Sequence, residues 1–259
     1  MATNSKPNGN NRFPYDVSVS IVSYNTDPSE LLRAIQSVQN SKLETKVVVV
    51  ENGATDRAKQ VTLENGCEYR FLGRNVGFGA AHNLAIKECV GMSKYHLVLN
   101  PDVYFGSGVL ESLTTYLNAN PEIGLAMPQV LFPDRSVQHL RKLMPTPTDL
   151  LLRRLFVGPL KPLLQQRTER YELRNLDSKR ILTVPVLSGC FMFLRAEVFN
   201  AVGCFDERYF MYLEDVDFCR RIHRAFDLVY YPHVSVFHGY AKGSYKDWTL
   251  LWHHVRSAC

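Results

Sequence analysis

Between Val17 and Met127 short apolar runs alternate with stretches of helical periodicity, and this alternation restricts the possible folds more than any other feature. Residues 17–23, 47–50, 69–72, 96–99 and 125–127 have the β-branched, aliphatic or aromatic character of strands. Residues 28–40, 55–64, 80–90 and 109–117 have the spacing of helices. In the first of these, Leu31, Leu32, Ile35 and Val38 share one side. The run 47–50 is valine throughout, apolar on both faces, as a central parallel strand requires. Such an order predicts a single α/β domain with an open, mostly parallel central sheet flanked by helices. In sheets of this kind ligands bind at the carboxyl ends of the strands. The residues just after each strand are therefore the first candidates for function.

Beyond residue 127 the pattern changes. Residues 128–180 are punctuated by Pro145, Pro147, Pro159 and Pro162, which predicts a flexible insertion with short helices only. Positions 141–180 hold ten Lys/Arg against four Asp/Glu, whereas the whole chain carries only +5. The same stretch contains Leu150-Leu151-Leu152 and Leu155-Phe156-Val157. A basic, partly apolar segment can rest on an anionic membrane or meet a phosphorylated acceptor, or it is a solvated helix face. Order returns at 184, with strands at 191–194, 228–231 and 234–237 and helices at 196–202 and 214–225. The apolar run 182–194 is shorter than the roughly 20 residues of a membrane-spanning helix. It contains Pro185 and reads as buried strand. Residues 1–15 form an expected disordered tail without the apolar core of a signal peptide, which points to a cytoplasmic protein. Residues 246–259 read as a C-terminal, acceptor-side helix without a stop signal, an expected truncation. The six cysteines (67, 89, 190, 204, 219 and 259) form no CxxC pair and fit small buried hydrophobes.

Each strand of the first half ends in a polar cluster. These are Ser23-Tyr24-Asn25, Glu51-Asn52-Gly53-Ala54-Thr55-Asp56, Gly73-Arg74-Asn75-Val76-Gly77-Phe78-Gly79 and Asn100-Pro101-Asp102. Four such loops on one rim make a cleft for a polar ligand. Gly77-x-Gly79 is not a dinucleotide fingerprint, because it follows the third strand and His82 replaces the third glycine. Its glycines are expected to let backbone amides approach a phosphate or ribose. Arg74 suits a base or a phosphate. Asp102 is placed to hold a divalent cation bridging two phosphates, although Asn-Pro-Asp is also an ordinary turn. In Glu214-Asp215-Val216-Asp217 the acids complement a helix start. One of them could also accept a proton from an acceptor hydroxyl. His238, at the end of a strand, is a further possible metal ligand.

In order along the chain, Ser20-Ile21-Val22-Ser23-Tyr24-Asn25, Asn75-Val76-Gly77-Phe78-Gly79, Leu99-Asn100-Pro101-Asp102, Ser188-Gly189-Cys190-Phe191-Met192 and Gly203-Cys204-Phe205-Asp206-Glu207 lead into Tyr212-Leu213-Glu214-Asp215-Val216-Asp217. This set resembles the inverting glycosyltransferase family 2 with the GT-A fold. More narrowly, it looks like the bacterial branch that uses dTDP-L-rhamnose. The resemblance runs from about residue 17 to 244 and implies a domain at 16–245.

The resemblance implies roles position by position. Asp102 matches the last residue of the DxD metal motif, with Asn100 where the first acid usually stands. His238 matches the late metal-ligand histidine. Asp215 matches the general base, and Glu214 would orient the acceptor or the base. Val22, Ser23, Tyr24, Glu51 and Asn52 fall where the nucleotide base and ribose are held, with Glu51 in place of a more usual Asp. Arg74, Asn75, Gly77 and Phe78 fall in the diphosphate or donor loop. The implied cofactor is Mg²⁺ or Mn²⁺. The implied partners are a nucleotide-sugar donor, a lipid-linked glycan acceptor and the inner face of the cytoplasmic membrane, with no nucleic acid. A same-fold alternative uses a UDP-sugar. A non-catalytic nucleotide-sugar-binding scaffold is the alternative of another class, and intact Asp102, Asp215 and His238 weigh against it.

Overall fold

The computed structural model describes residues 13–146 and 161–239. The expected tail over most of 1–15, the Leu150 and Leu155 pieces, Cys259 and the helix at 246–259 lie outside the described residues.

The first half alternates as expected: β1 (Tyr15–Ser23), α1 (Pro28–Gln39), β2 (Thr45–Glu51), α2 (Lys59–Glu64), β3 (Glu68–Phe71), α3 (Phe78–Cys89) and β4 (Ser93–Leu99). There follow β5 (Val103–Tyr104), α4 (Val109–Ala119), β6 (Ile123–Leu131), β7 (Arg141–Lys142) and α5 (Lys161–Tyr171). The last third holds β8 (Leu182–Thr183), β9 (Val186–Leu187), β10 (Phe191–Arg195), α6 (Glu197–Val202), α7 (Glu214–Ile222) and β11 (Asp227–His238).

The main sheet runs β3-β2-β1-β4-β10-β6-β11-β5, with β8 also paired to β11. The strands β3, β2, β1 and β4 are mutually parallel, and β6 is parallel to β11. Strand β10 lies antiparallel between β4 and β6. Side chains alternate between two faces, as the pleat requires. Val17, Val19 and Ile21 with Val47 and Val49 pack with Leu31, Ile35 and Val38 of α1. Val22, Val48 and Val50 face Ala81, Ala85 and Cys89 of α3. The α3 face also carries a buried polar chain. Ser20 Oγ lies 2.8 Å from His82 Nδ1 and 3.0 Å from His96 Nε2, and Ser18 Oγ lies 2.7 Å from His96 Nδ1.

Four expectations are corrected. Residues 182–194 are not one strand. Pro185, which has no N–H to donate, and the Ser188–Gly189 turn split the run into β8, β9 and β10. The strands expected at 228–231 and 234–237 are one strand, β11, whose register against β6 shifts between Tyr231 and Ser235, around Pro232. The insertion holds an eleven-residue helix, α5. Pro162 sits in its first turn, where a missing N–H costs nothing, so it starts a helix there. The helix expected over 55–64 is shorter, because Asp56 stays outside α2 and accepts from the Tyr69 hydroxyl. The described cysteines 67, 89, 190 and 219 are buried and free, and Cys204 is half-buried and free.

Candidate active site

Because β3, β2, β1 and β4 run in parallel, all four polar clusters lie on one edge of the sheet. Strand β11 ends on that same edge. Its antiparallel pairing with β5 sets His238 opposite Val103, the residue after Asp102. The Gly239 amide then donates to the Asp102 carbonyl at 3.0 Å.

The side chains of Asp102 and His238 meet there. His238 Nε2 lies 3.4 Å from Asp102 Oδ1 and 3.5 Å from Asn100 Nδ2. On the other side of the ring, Nδ1 lies 3.0 Å from Gln138 Oε1, while Gln138 Nε2 donates to the His238 carbonyl at 3.0 Å. A side-chain carbonyl can only accept, so Nδ1 carries a hydrogen, and Nε2 is the ring nitrogen that faces Asp102. An imidazole nitrogen facing a carboxylate is a pair that suits a divalent cation, with diphosphate and water supplying the remaining ligands. Among the described residues no group of three or more His, Cys, Asp or Glu is placed to hold a metal ion. Glu30 approaches this corner too, with Oε1 3.8 Å from where a Gly239 Cβ would stand.

The second half of the site is built at the start of α7. Tyr212 and Leu213 both adopt left-handed backbone angles, φ 65° and 69°. Neither is glycine, so each stores strain of about 1 kcal/mol. The two residues turn the chain sharply into the helix. Asp215 Oδ1 accepts from the Val216 amide at 2.8 Å, and Oδ2 accepts from the Gly189 amide at 3.3 Å. Glu214 beside it is buried, and its Oε2 has no hydrogen-bond partner. Burial and then the Asp215 charge push the Glu214 carboxyl up to about 8. Asp217, the last acid of the cluster, is structural. It pairs with Arg221 at 2.8 Å and Arg220 at 3.0 Å.

One turn joins the halves. The Asn100 amide donates to the Cys190 carbonyl at 2.9 Å, and Gly189, its neighbour, donates to Asp215. Burial pushes the Cys190 thiol up to about 12, and the charges of Asp102 and Asp215 add to it. The turn at 188–190 stood in the sequence as a motif without a role, and Gln138 carried no local signal at all.

The donor-side clusters are more inward-facing than their expected roles imply. Ser23 Oγ donates to Glu51 Oε2 at 3.1 Å and the Gly53 amide to Oε1 at 3.0 Å, with Glu51 itself 1% exposed. Burial pushes the Glu51 carboxyl up, and these hydrogen bonds oppose it. Val22 packs under α3, whereas Tyr24 is 52% exposed on the rim. Asn52 pins the third loop. It accepts from the Val76 amide at 2.8 Å and donates to Asn75 Oδ1 and the Gly77 carbonyl. Two amides of the glycine loop are used within the protein. The Gly77 amide donates to Asn75 Oδ1 and the Phe78 amide to the Phe210 carbonyl. At Gly77 (φ 96°) a Cβ would stand 2.5 Å from that carbonyl, and at Gly79 one would stand 2.8 Å from Phe205 Cβ. These glycines allow the loop before α7 to dock on α3. Arg74 is exposed and enters no ion pair among the described residues.

The glycosyl transferase family 2 profile matches residues 18–203, which is most of the chain. The chain belongs to glycosyltransferase family 2. It is 33% identical over 216 residues to the N-acetylglucosaminyl-diphospho-decaprenol L-rhamnosyltransferase of Mycobacterium tuberculosis, covering 78% of this chain and 68% of the relative. It is 25% identical to the low-salt glycan biosynthesis hexosyltransferase Agl10 of Haloferax volcanii, covering 81% of this chain and 62% of Agl10. Among solved structures, GalNAc-T7 with UDP, GalNAc and Mn²⁺ superposes with a TM-score of 0.65 at 15% identity, over 88% of this chain and 44% of that one. Staphylococcus aureus TarS, residues 1–349, superposes with a TM-score of 0.59 at 15% identity, over 86% and 60%. The chain thus spans less than two thirds of these solved chains. The likeness establishes the GT-A fold, and this family 2 member is a glycosyltransferase.

Proposed function

We propose that this glycosyltransferase moves L-rhamnose from dTDP-β-L-rhamnose to a hydroxyl of a lipid-linked surface glycan, by a single displacement with inversion. Rhamnose and the lipid diphosphate acceptor come from the mycobacterial relative. The supporting observation within the chain is the 188–190 turn, with Asp102 and His238 on one side and Asp215 on the other. Asp215 takes the proton of the acceptor hydroxyl while its oxygen bonds to the anomeric carbon and the bond to the nucleoside diphosphate breaks. Gly189 and Val216 hold the Asp215 carboxylate in place through their amides. Asp102 and His238, oriented by Gln138, would hold Mg²⁺ or Mn²⁺. When bound, such a cation supplies positive charge to the departing diphosphate. Tyr24 and Arg74, exposed on the donor rim, are assigned to the base and the diphosphate, with Glu51, Asn52 and Asn75 keeping that rim in shape.

Among the described residues no helix is long and apolar enough to cross a membrane. Contact with the inner face of the cytoplasmic membrane is assigned to the basic 141–180 segment, by charge attraction to anionic lipid. The deciding experiment for the donor is thermal protection with Mn²⁺ present. At saturation dTDP should raise the melting temperature more than UDP does. Equal or greater protection by UDP would transfer the proposal to a UDP-sugar.

A further inference from the structure

Glu214 is the least compensated polar group of the site. Its side chain is more than nine-tenths buried and Oε2 meets no donor. An ionised carboxylate in such a place is expensive, because neither water nor a hydrogen bond replaces its lost solvation. The neighbouring Asp215 adds like-charge repulsion. Among the described residues Glu214 enters no ion pair. Of the acids nearby, Asp217 is taken by Arg220 and Arg221, and Asp206 by Arg208. The start of α3 presents Gly79, where a Cβ would lie 3.8 Å from Glu214 Cβ, and the Phe78 ring lies against Gly189. His82, one turn on, is itself held neutral by burial. Asp215 differs from Glu214 in one respect that decides where a proton sits. Both of its oxygens accept backbone amides, whereas Oε2 of Glu214 accepts none.

We propose that Glu214 and Asp215 carry a single proton between them, held on Glu214, and that neutral Glu214 is the positioning residue that keeps the start of α7 packed against α3 with Asp215 aimed into the cleft. This rests on Asp215 being the base. During transfer the acceptor proton goes to Asp215, both carboxyls are then neutral, and Asp215, which is partly exposed, releases its proton to water. When alkaline solution ionises Glu214, the unpartnered charge must find solvent, and the first turn of α7 moves with it. Transfer then declines without loss of the fold.

The test has two arms on the whole protein. In the first, glutamate carboxyl carbons are labelled with ¹³C and followed by NMR from about pH 5 to about pH 10, without substrate. One resonance should titrate far above the ordinary glutamate range and vanish in Glu214→Gln and Glu214→Asp. If every glutamate titrates in the ordinary range, the proposal is overturned, whatever the enzyme transfers. In the second arm, Glu214→Ala should lower kcat by about tenfold or more with little change in donor KM. Glu214→Gln, which imitates the neutral acid, should recover most of that loss and extend the active range to higher pH than the wild type. A Glu214→Gln enzyme as impaired as Glu214→Ala, with nucleotide binding intact, overturns the positioning role. Absence of rhamnose transfer in every form would overturn the donor reading instead, and the NMR arm would still decide the proton.

Discussion

Asp215 and Gly77 show how differently single residues can matter in one cleft. Replacing Asp215 by Asn keeps its size and one of its two amide contacts but removes the proton acceptor. This change should lower kcat by about 10²–10⁴-fold while nucleotide affinity, measured by calorimetry, stays within about threefold. Wild-type turnover in that variant would remove Asp215 from the mechanism. Gly77 does no chemistry. Its left-handed backbone and its distance to the Phe210 carbonyl leave no room for a methyl group. Gly77→Ala should therefore destabilise the fold by about 2–4 kcal/mol in urea unfolding, since strain and clash add.

At the scale of elements, the site depends on two loops being fixed to α3 and to each other. Asn83 of α3 donates to the Phe205 carbonyl at 2.9 Å and accepts from the Phe205 amide at 3.0 Å. Asn83→Ala would leave both buried backbone groups unpaired, at a cost of about 1–3 kcal/mol. Because the same loop leads into α7, kcat should fall alongside the melting temperature, and an unchanged kcat would mean that the loop is held elsewhere. Most elements were legible from spacing alone, since 17–23, 28–40 and 47–50 repeat cleanly and bury both faces of the sheet. The two-residue strands β5 and β7 were not, because no periodicity can show in two residues. Asp102, His238 and Asp215 stood out as candidates through motifs, and the first two meet at one sheet edge. Gln138 did not, because its partner His238 is 100 positions away and only the pairing of β11 brings them together. The Phe78 amide's partner, the Phe210 carbonyl, was not legible for a similar reason, being distant in sequence.

For the molecule as a whole, acid stability follows from the polar chain inside the α3 face. Burial pushes both His82 and His96 down to about 3 from an ordinary value of 6.5. A depressed histidine binds its proton more readily in the unfolded chain. Stability is thus fully present above 6.5 and is lost as pH falls from there toward 3. Over that window these two rings should add about two protons to the uptake on unfolding, measured from the pH dependence of urea midpoints. His82→Asn, which keeps a partner for Ser20 without a titrating ring, should lower that uptake by about one. A slope unchanged by the substitution would show that His82 does not titrate with unfolding.

Strand β10 has a consequence for how this molecule is made. It sits between β4 and β6, yet it leaves the ribosome some sixty residues after β6 does. Until then both neighbours present bare hydrogen-bonding edges at the middle of the protein, where pairing with a stranger is most damaging. The nascent chain can assemble β1 to β4 early, but its centre waits for a five-residue segment that arrives with the turn at 188–190 attached. Closing the centre of the sheet and setting the 188–190 turn beside the end of β4 are therefore the same event.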